Sequence, residues 1–278
     1  MKSIHKITVI FLFLAVFCGF TASAQEIRKS RSPAPGVEYL FFNAGRIGAV
    51  NGKGIGIQVL RIDPYRAKLR LLAASEYDKK LRTAADWCRE FKLIAAINAG
   101  MFLKDYLTNV GYLRNGAHVQ NGRWNGKYRS ALAFDPQKPG LPPAIMVDLD
   151  TPDAKDMTAD YGAVVQNLRL LRADGVNVWE KSDRQWSEAA VGMDKEGRVC
   201  FIFCGAPMPM WKFNKMVSSL GLGIVRMMHM EGGSLASLSV KGAGIALNLA
   251  GAYETGALES GHVNGAQMPL PNVIGVAR

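Results

Sequence analysis

Two short segments of this 278-residue chain set polar side chains where chemistry can be done. Residues 93–102 read Leu-Ile-Ala-Ala-Ile-Asn-Ala-Gly-Met-Phe, and residues 227–238 read Met-Met-His-Met-Glu-Gly-Gly-Ser-Leu-Ala-Ser-Leu. Each is an apolar, strand-like run that opens into a loop of small residues. Such loops let a ligand come close to the backbone, and the strand beneath gives a polar side chain a rigid base. Asn98 ends the first run; His229, Glu231, Gly232, Gly233 and Ser234 lie together in the second. His229 and Glu231 are two residues apart, so on a regular strand they share a face, and an imidazole there can titrate near neutral pH. Each residue also has a plain structural use. Asn98 can brace a loop, Glu231 can hold the Gly-Gly turn through backbone N–H groups, Ser234 can cap that turn, and His229 can pack in a core.

Period and punctuation outline the elements that carry these segments. Alternating or continuous apolar runs predict strands over 37–42, 54–62, 68–73, 93–97, 130–134, 144–147, 163–171, 223–230 and 272–277. Residues 189–194 and 198–204 flank Lys195-Glu196-Gly197 and predict a hairpin. Thr83 is placed to cap a helix over 84–91 with Asp86 in its first turn, and a second helix is predicted over 210–220 before Gly221. The pattern is α/β of the α+β type: a single domain over 37–278, with a mixed sheet, more strand than helix, and a few helices packed on it. Residues 25–36, charged and proline-containing, read as a flexible lead-in.

The N-terminus predicts export. Lys2 and Lys6 precede an apolar run over 7–20, and Ala22-Ser23-Ala24 supplies the small residues of a cleavage site, making 1–24 a signal peptide. The run is shorter than the ~20 residues needed to span a bilayer, so no stable membrane insertion is expected after cleavage, and the destination is periplasmic or extracellular. The formal charge of +11 falls to about +9 without the leader. That balance suits anionic envelope polymers, but the basic residues are dispersed and carry no nucleic-acid signature. Cys88, Cys200 and Cys204 remain after processing and read as buried thiols, with a disulfide or a zinc site less well supported by their spacing. Trp124, Trp179, Trp186 and Trp211 can stack on sugar rings or fill the core. No dinucleotide or P-loop pattern appears, so no cofactor is expected, and neither is a metal.

Taken together and in order, the motifs resemble the phosphodiester glycosidase family. Ile97-Asn98-Ala99-Gly100-Met101-Phe102 is similar to its Asn-Gly/Ala-Gly-Met/Phe-Phe motif, and Glu231-Gly232-Gly233-Ser234 lies where the family has Asp-Gly-Gly-Gly-Ser after a strand. Val164-Val165-Gln166, Asp174-Gly175, Ala190-Val191-Gly192 and the final Pro271-Asn272-Val273-Ile274-Gly275 resemble later strands of that family. The resemblance implies hydrolysis of a sugar phosphodiester, releasing a sugar and a phosphomonoester, with a phosphate-linked glycan as partner. Glycoside hydrolysis usually employs two carboxyl groups. The resemblance offers Glu231 as acid/base or nucleophile and, by alignment, Glu188 as the second carboxylate, at a position where many members carry Arg. His229 stands for a family Asn. Asn98 and Gln166 are implied as sugar-hydroxyl ligands, and Ser234 with the Gly232–Gly233 backbone as a phosphate site. Arg129 and Arg226 are the basic residues nearest the motif strands that stand in for the missing Arg. A non-catalytic glycan-binding protein on the same fold, or a plain glycosidase, are the alternatives. Export makes a direct prediction: the protein recovered from the exported fraction begins at Gln25 by intact-mass measurement, whereas a chain retaining Met1 would exclude cleavage at Ala24.

Overall fold

A computed structural model of the chain describes residues 27–43, 56–252 and 266–278; the expected signal peptide lies outside them. In chain order the strands begin with β1 (Ile27–Ala34), β2 (Val37–Asn43), β3 (Gly56–Ile62), β4 (Leu69–Ala73), β5 (Leu93–Asn98) and β6 (Leu113–Asn115). There follow β7 (His118–Asn121), β8 (Ser130–Pro136), β9 (Ala144–Asp148), β10 (Tyr161–Asn167), β11 (Arg169–Arg172) and β12 (Val176–Asn177). The last are β13 (Gln185–Asp194), β14 (Val199–Pro209), β15 (Ile224–Gly232), β16 (Ser237–Gly242), β17 (Ile245–Ala250) and β18 (Asn272–Ala277). The helices are α1 (Ala84–Glu90), α2 (Ala154–Ala159) and α3 (Met210–Ser218). Strand outweighs helix, as expected from the sequence.

The strands divide among three sheets, ordered β1-β2-β3-β14-β13-β15-β11-β12, β7-β6-β10-β8-β9 and β17-β16-β5-β18-β4. Every pairing among the described strands is antiparallel. One apolar cluster draws on all three sheets, with Leu60, Phe201 and Met230 from the first, Leu132, Phe134 and Val165 from the second, and Leu71, Ile97, Leu238 and Ile274 from the third. The outer faces are apolar too, and each receives a helix. Phe213 and Val217 of α3 cover Val59, Ile202 and Met227; Trp87 of α1 covers Leu72, Ala96 and Val273; Ala154 of α2 joins Ala133 and Val164. Burial on both faces explains why β5 reads as an unbroken apolar run, and its six residues are all buried. On β14 the period-2 alternation sends Val199, Phe201 and Phe203 inward. Cys200 and Cys204 therefore face α3 as buried free thiols, and Cys88 is a third.

Two segments depart from the sequence reading. Residues 27–34, expected within a flexible lead-in, form the edge strand β1, paired with β2 from Ile27↔Phe42 to Ala34↔Val37. Backbone groups suffice for such pairing, and an edge strand tolerates the charges and prolines that would disrupt a central one. The predicted strand 163–171 is two strands in different sheets. At Leu168 the chain crosses from the second sheet to the first, and Asn167 bridges the gap by donating to Met230 O (3.3 Å) and accepting from Leu168 N (2.7 Å). The freed Leu168 carbonyl accepts from His229 N at 2.9 Å.

The α1 cap is formed as its sequence predicts: Thr83 Oγ1 accepts from Asp86 N (3.1 Å) and donates to Asp86 Oδ2 (2.7 Å). Thr83→Ala should therefore lower stability by about 1 kcal/mol in denaturant unfolding; an unchanged midpoint would show that the cap contributes nothing.

Candidate active site

The central strands of the eight-stranded sheet, β14, β13 and β15, carry the site. Glu188 on β13 stands opposite Cys204 on β14 and Gly232 on β15. It is fully buried. One carboxylate oxygen lies 2.6 Å from His229 Nδ1, and the other accepts from Trp186 Nε1 at 3.1 Å. A charge without water needs such partners, since an unpaired buried carboxylate costs several kcal/mol.

The pairing of β13 with β15 shifts register here: Glu231 opposes Ala189 and His229 opposes Ala190, so Met230 is an extra residue. A β-bulge of this kind bends the strand and re-aims its side chains, and simple two-residue alternation did not anticipate it. Glu231 is 8 % exposed and His229 6 %. The Glu231 carboxylate accepts from Gly232 N at 3.0 Å. That is one of about four acceptor positions on a carboxylate, and it is the bond among the described residues that fixes this side chain.

Electrostatics tie the groups together. Burial raises the pKa of Glu231, opposed by the charge of His229 and the Gly232 N–H and reinforced by Glu188. Burial likewise raises that of Glu188, opposed by His229 and Trp186. For His229 burial works downward, but the charge and hydrogen bond of Glu188, with Glu231 beyond, outweigh it and hold the imidazole above its ordinary range. Tyr128 belongs to the same cluster: burial raises its phenol, and Glu231 adds to the shift. Nothing in the sequence singled out Tyr128, which precedes β8 by two residues. Trp186 was legible only as an aromatic; its role as donor to Glu188 required the fold.

The turn after Glu231 is closely built. A side chain at Gly232 would put its Cβ 2.6 Å from Trp186 Cδ1 and 3.4 Å from His229 Cε1. Gly233 has φ +65°, in the left-handed region that favours glycine, and Ser234 follows it half-buried in a single 3-10 turn. Asn98 joins the first motif to this turn, donating to Leu235 O (3.0 Å) and accepting from Ser237 N (2.8 Å). Both its amide functions are thus engaged in bracing. Gln166 is likewise occupied, accepting from Tyr112 N and Asn125 N (both 2.9 Å) and donating to Asn125 O (2.8 Å) and Tyr128 O (2.7 Å). It holds the loop that carries Tyr128.

The two arginines lie elsewhere. Arg226 Nε donates to Asp148 Oδ2 at 3.1 Å, and it opposes Met193, about 15 Å along the strands from the Gly232 position. Arg129 is exposed, and its charge acts on Asp150, whose carboxyl is held low chiefly by Arg169. The fold thus gathers Glu188, His229, Glu231 and the Gly232–Ser234 turn, with Asn98 and Gln166 as braces, and leaves Arg129 and Arg226 in a separate ionic cluster. Concavities of about 320 Å³ beside Tyr65 and Asp135 and about 290 Å³ beside Cys88 and Lys241 contain none of the gathered residues.

Glu188, Glu231 and His229 all bind protons more firmly folded than unfolded. Their stabilising contribution is complete below the unfolded-state values and is lost as pH rises through the folded-state ones. The carboxylates held low elsewhere, such as Asp86 and Asp105, act only at more acidic pH. The melting temperature should therefore fall as pH rises above the ordinary glutamate value of 4.5, less steeply in Glu188→Gln; calorimetry showing a flat or rising profile would contradict the shared sign of these shifts.

Comparison with known proteins agrees with this architecture. No curated protein sequence matches the chain. The catalytic domain of zebrafish N-acetylglucosamine-1-phosphodiester alpha-N-acetylglucosaminidase, auto-inhibited by its pro-peptide, is similar in fold: TM-score 0.62, 15 % identity, covering 91 % of this chain and 87 % of that one. A hypothetical protein from Synechocystis aligns with TM-score 0.55 and 14 % identity over 87 % of this chain and 62 % of its own. A Burkholderia pseudomallei protein described as a candidate exported protein aligns with TM-score 0.53 and 10 % identity over 92 % and 96 %. The phosphodiester glycosidase family model matches residues 91–277, two thirds of the sequence and all of the site. The chain belongs to the phosphodiester glycosidase family.

Proposed function

We propose that this protein is an exported hydrolase that cleaves the glycosidic C–O bond of a sugar phosphodiester in an envelope or extracellular glycan. The observation that carries the reading is the Glu231 carboxylate: it ends a central strand beside His229, its pKa is raised, and one N–H bond from the adjacent glycine holds it. A desolvated carboxylate of this kind is a stronger base than one in water and suits the acid/base or nucleophile role. The leaving group is already acidic, so charge stabilisation around it matters more than strong protonation. The Gly233 backbone N–H and the Ser234 hydroxyl follow Glu231 closely in the chain and are proposed to face the phosphate, the Gly232 N–H being taken by Glu231. Asn98 and Gln166 are proposed to act by holding the two loops, since their amides are already bonded to backbone. Export is supported by the leader pattern, and among the described residues no helix is long and apolar enough to cross a membrane.

One observation favours the second reading, a glycan-binding protein without turnover. Glu188 is fully buried with both oxygens bonded, which removes it as a second carboxylate in contact with sugar. Hydrolysis of a panel of sugar-1-phosphodiesters and aryl glycosides by the mature chain separates the two. The expected result is phosphomonoester release, reduced about 10²–10⁴-fold in Glu231→Gln. Absence of turnover, with glycan bound equally by both proteins, would establish the binding reading instead.

A further inference from the structure

We propose that Glu188 is a positioning residue: it holds His229 as a cation whose Nε2–H donates to a phosphoryl oxygen of the substrate. The proposal rests on the reading of this site as one that takes a phosphodiester.

Geometry comes first. The 2.6 Å contact fixes Nδ1 of His229 against one Glu188 oxygen, and the 3.1 Å bond from Trp186 Nε1 to the other oxygen prevents the carboxylate from turning away. A ring held at Nδ1 must direct Nε2 the other way, past Cε1. That edge runs along the glycine turn, because a Cβ at Gly232 would sit 3.4 Å from His229 Cε1. No described residue hydrogen-bonds Nε2, and the side chain keeps 7 % exposure. The ring is therefore clamped on its inner nitrogen, with its outer nitrogen directed to the side of the turn.

Charge comes second. The titratable groups facing His229 are Glu188 of β13 and Glu231 of its own strand, with Cys204 of β14 beside Glu188 and Tyr128 beside Glu231. All of these are acids. No lysine or arginine acts on either glutamate among the described residues, and Arg226 is engaged by Asp148. The imidazole is thus the local group that can present a positive charge to a phosphate, and the buried carboxylate behind it keeps that charge in place, as a carboxylate behind an imidazole fixes its tautomer and orientation in other sites.

The chemistry balances without further reagents. The bond between the anomeric carbon and the phosphate oxygen breaks, and its electron pair stays on that oxygen in the phosphomonoester. The hydroxyl of a water joins the anomeric carbon, and the remaining water proton passes to Glu231 and then to solvent. His229 donates a hydrogen bond throughout and ends with the proton it began with.

The test uses the mature protein with labelled histidine. In wild type, NMR titration should place the His229 imidazole above a free imidazole, and inorganic phosphate should shift its Cε1–H and Nε2 signals. In Glu188→Gln the imidazole pKa should fall by about one unit or more. The high-pH limb of kcat/KM on the phosphodiester panel should move down with it, which a purely structural loss would not produce. His229→Gln should lower kcat on phosphodiesters about 10²–10³-fold. A wild-type His229 that titrates at or below free imidazole, or that ignores phosphate, overturns the proposal even if no variant folds. So does a Glu188→Gln protein with an unmoved imidazole pKa. Wild-type protein that hydrolyses no phosphodiester, while His229 still responds to phosphate as described, sinks the hydrolase reading and upholds the anion-donating pair.

Discussion

A carboxylate buried at the centre of an apolar sheet requires a partner, and the 2.6 Å contact between Glu188 and His229 meets that requirement. The neighbours of Glu188 along β13 are the fully buried Ser187 and Ala189, so water is not at hand to solvate it. Breaking a buried pair by removing one member typically costs ~3–5 kcal/mol, because the other is left uncompensated. The pair therefore constrains its surroundings as well as itself. Register between β13 and β15, the bulge at Met230, the close approach of Gly232 to Trp186 and the placement of Glu231 all have to be compatible with it.

The three-sheet architecture makes that constraint possible. Because each sheet buries one face in a common core and the other under a helix, the middle strands are dry along most of their length, and polar groups on them are few. Loops cannot bury their backbone in this way. They are instead tied down by amides: Asn98 links the end of β5 to the turn after β15, Gln166 gathers the chain around 112–128, and Asn167 closes the gap where β10 leaves one sheet and β11 enters another. These bonds bring segments far apart in the chain to one place while leaving Glu231 with few bonds of its own.

Family membership and site geometry address different questions. Fold can persist while a site is rebuilt, and here the position that the sequence resemblance matches to a family Arg holds Glu188, facing His229. A guanidinium binds phosphate through a planar fork of donors; a carboxylate–imidazole pair offers one oriented donor whose charge depends on proton affinity. Arg129 and Arg226, the basic residues that proximity in the chain suggested as replacements, belong to the Asp148–Asp150 cluster. If the Glu188–His229 pair takes the phosphate as proposed, recognition rests on a titratable charge rather than a permanent one.

Local chemistry alone determined a good part of this protein. The apolar runs of β3, β4, β5 and β18, the hairpin around Lys195-Glu196-Gly197 and the capped helix after Thr83 are each specified by residues within a few positions of one another, and all are found. The two small-residue loops flagged as functional do meet, through Asn98. Tertiary structure decided the rest. Whether 163–171 is one strand or two depends on which sheet each half joins, and polar residues 27–34 become a strand because β2 offers an edge. Glu188 and His229 are 41 residues apart, and their meeting depends on the register of β13 against β15, which a bulge shifts. Tyr128 feels the charge of Glu231 from a loop that Gln166 holds. Periodicity reports which face of a strand is apolar; it carries no information about which distant strand lies alongside, and the site is made of such adjacencies.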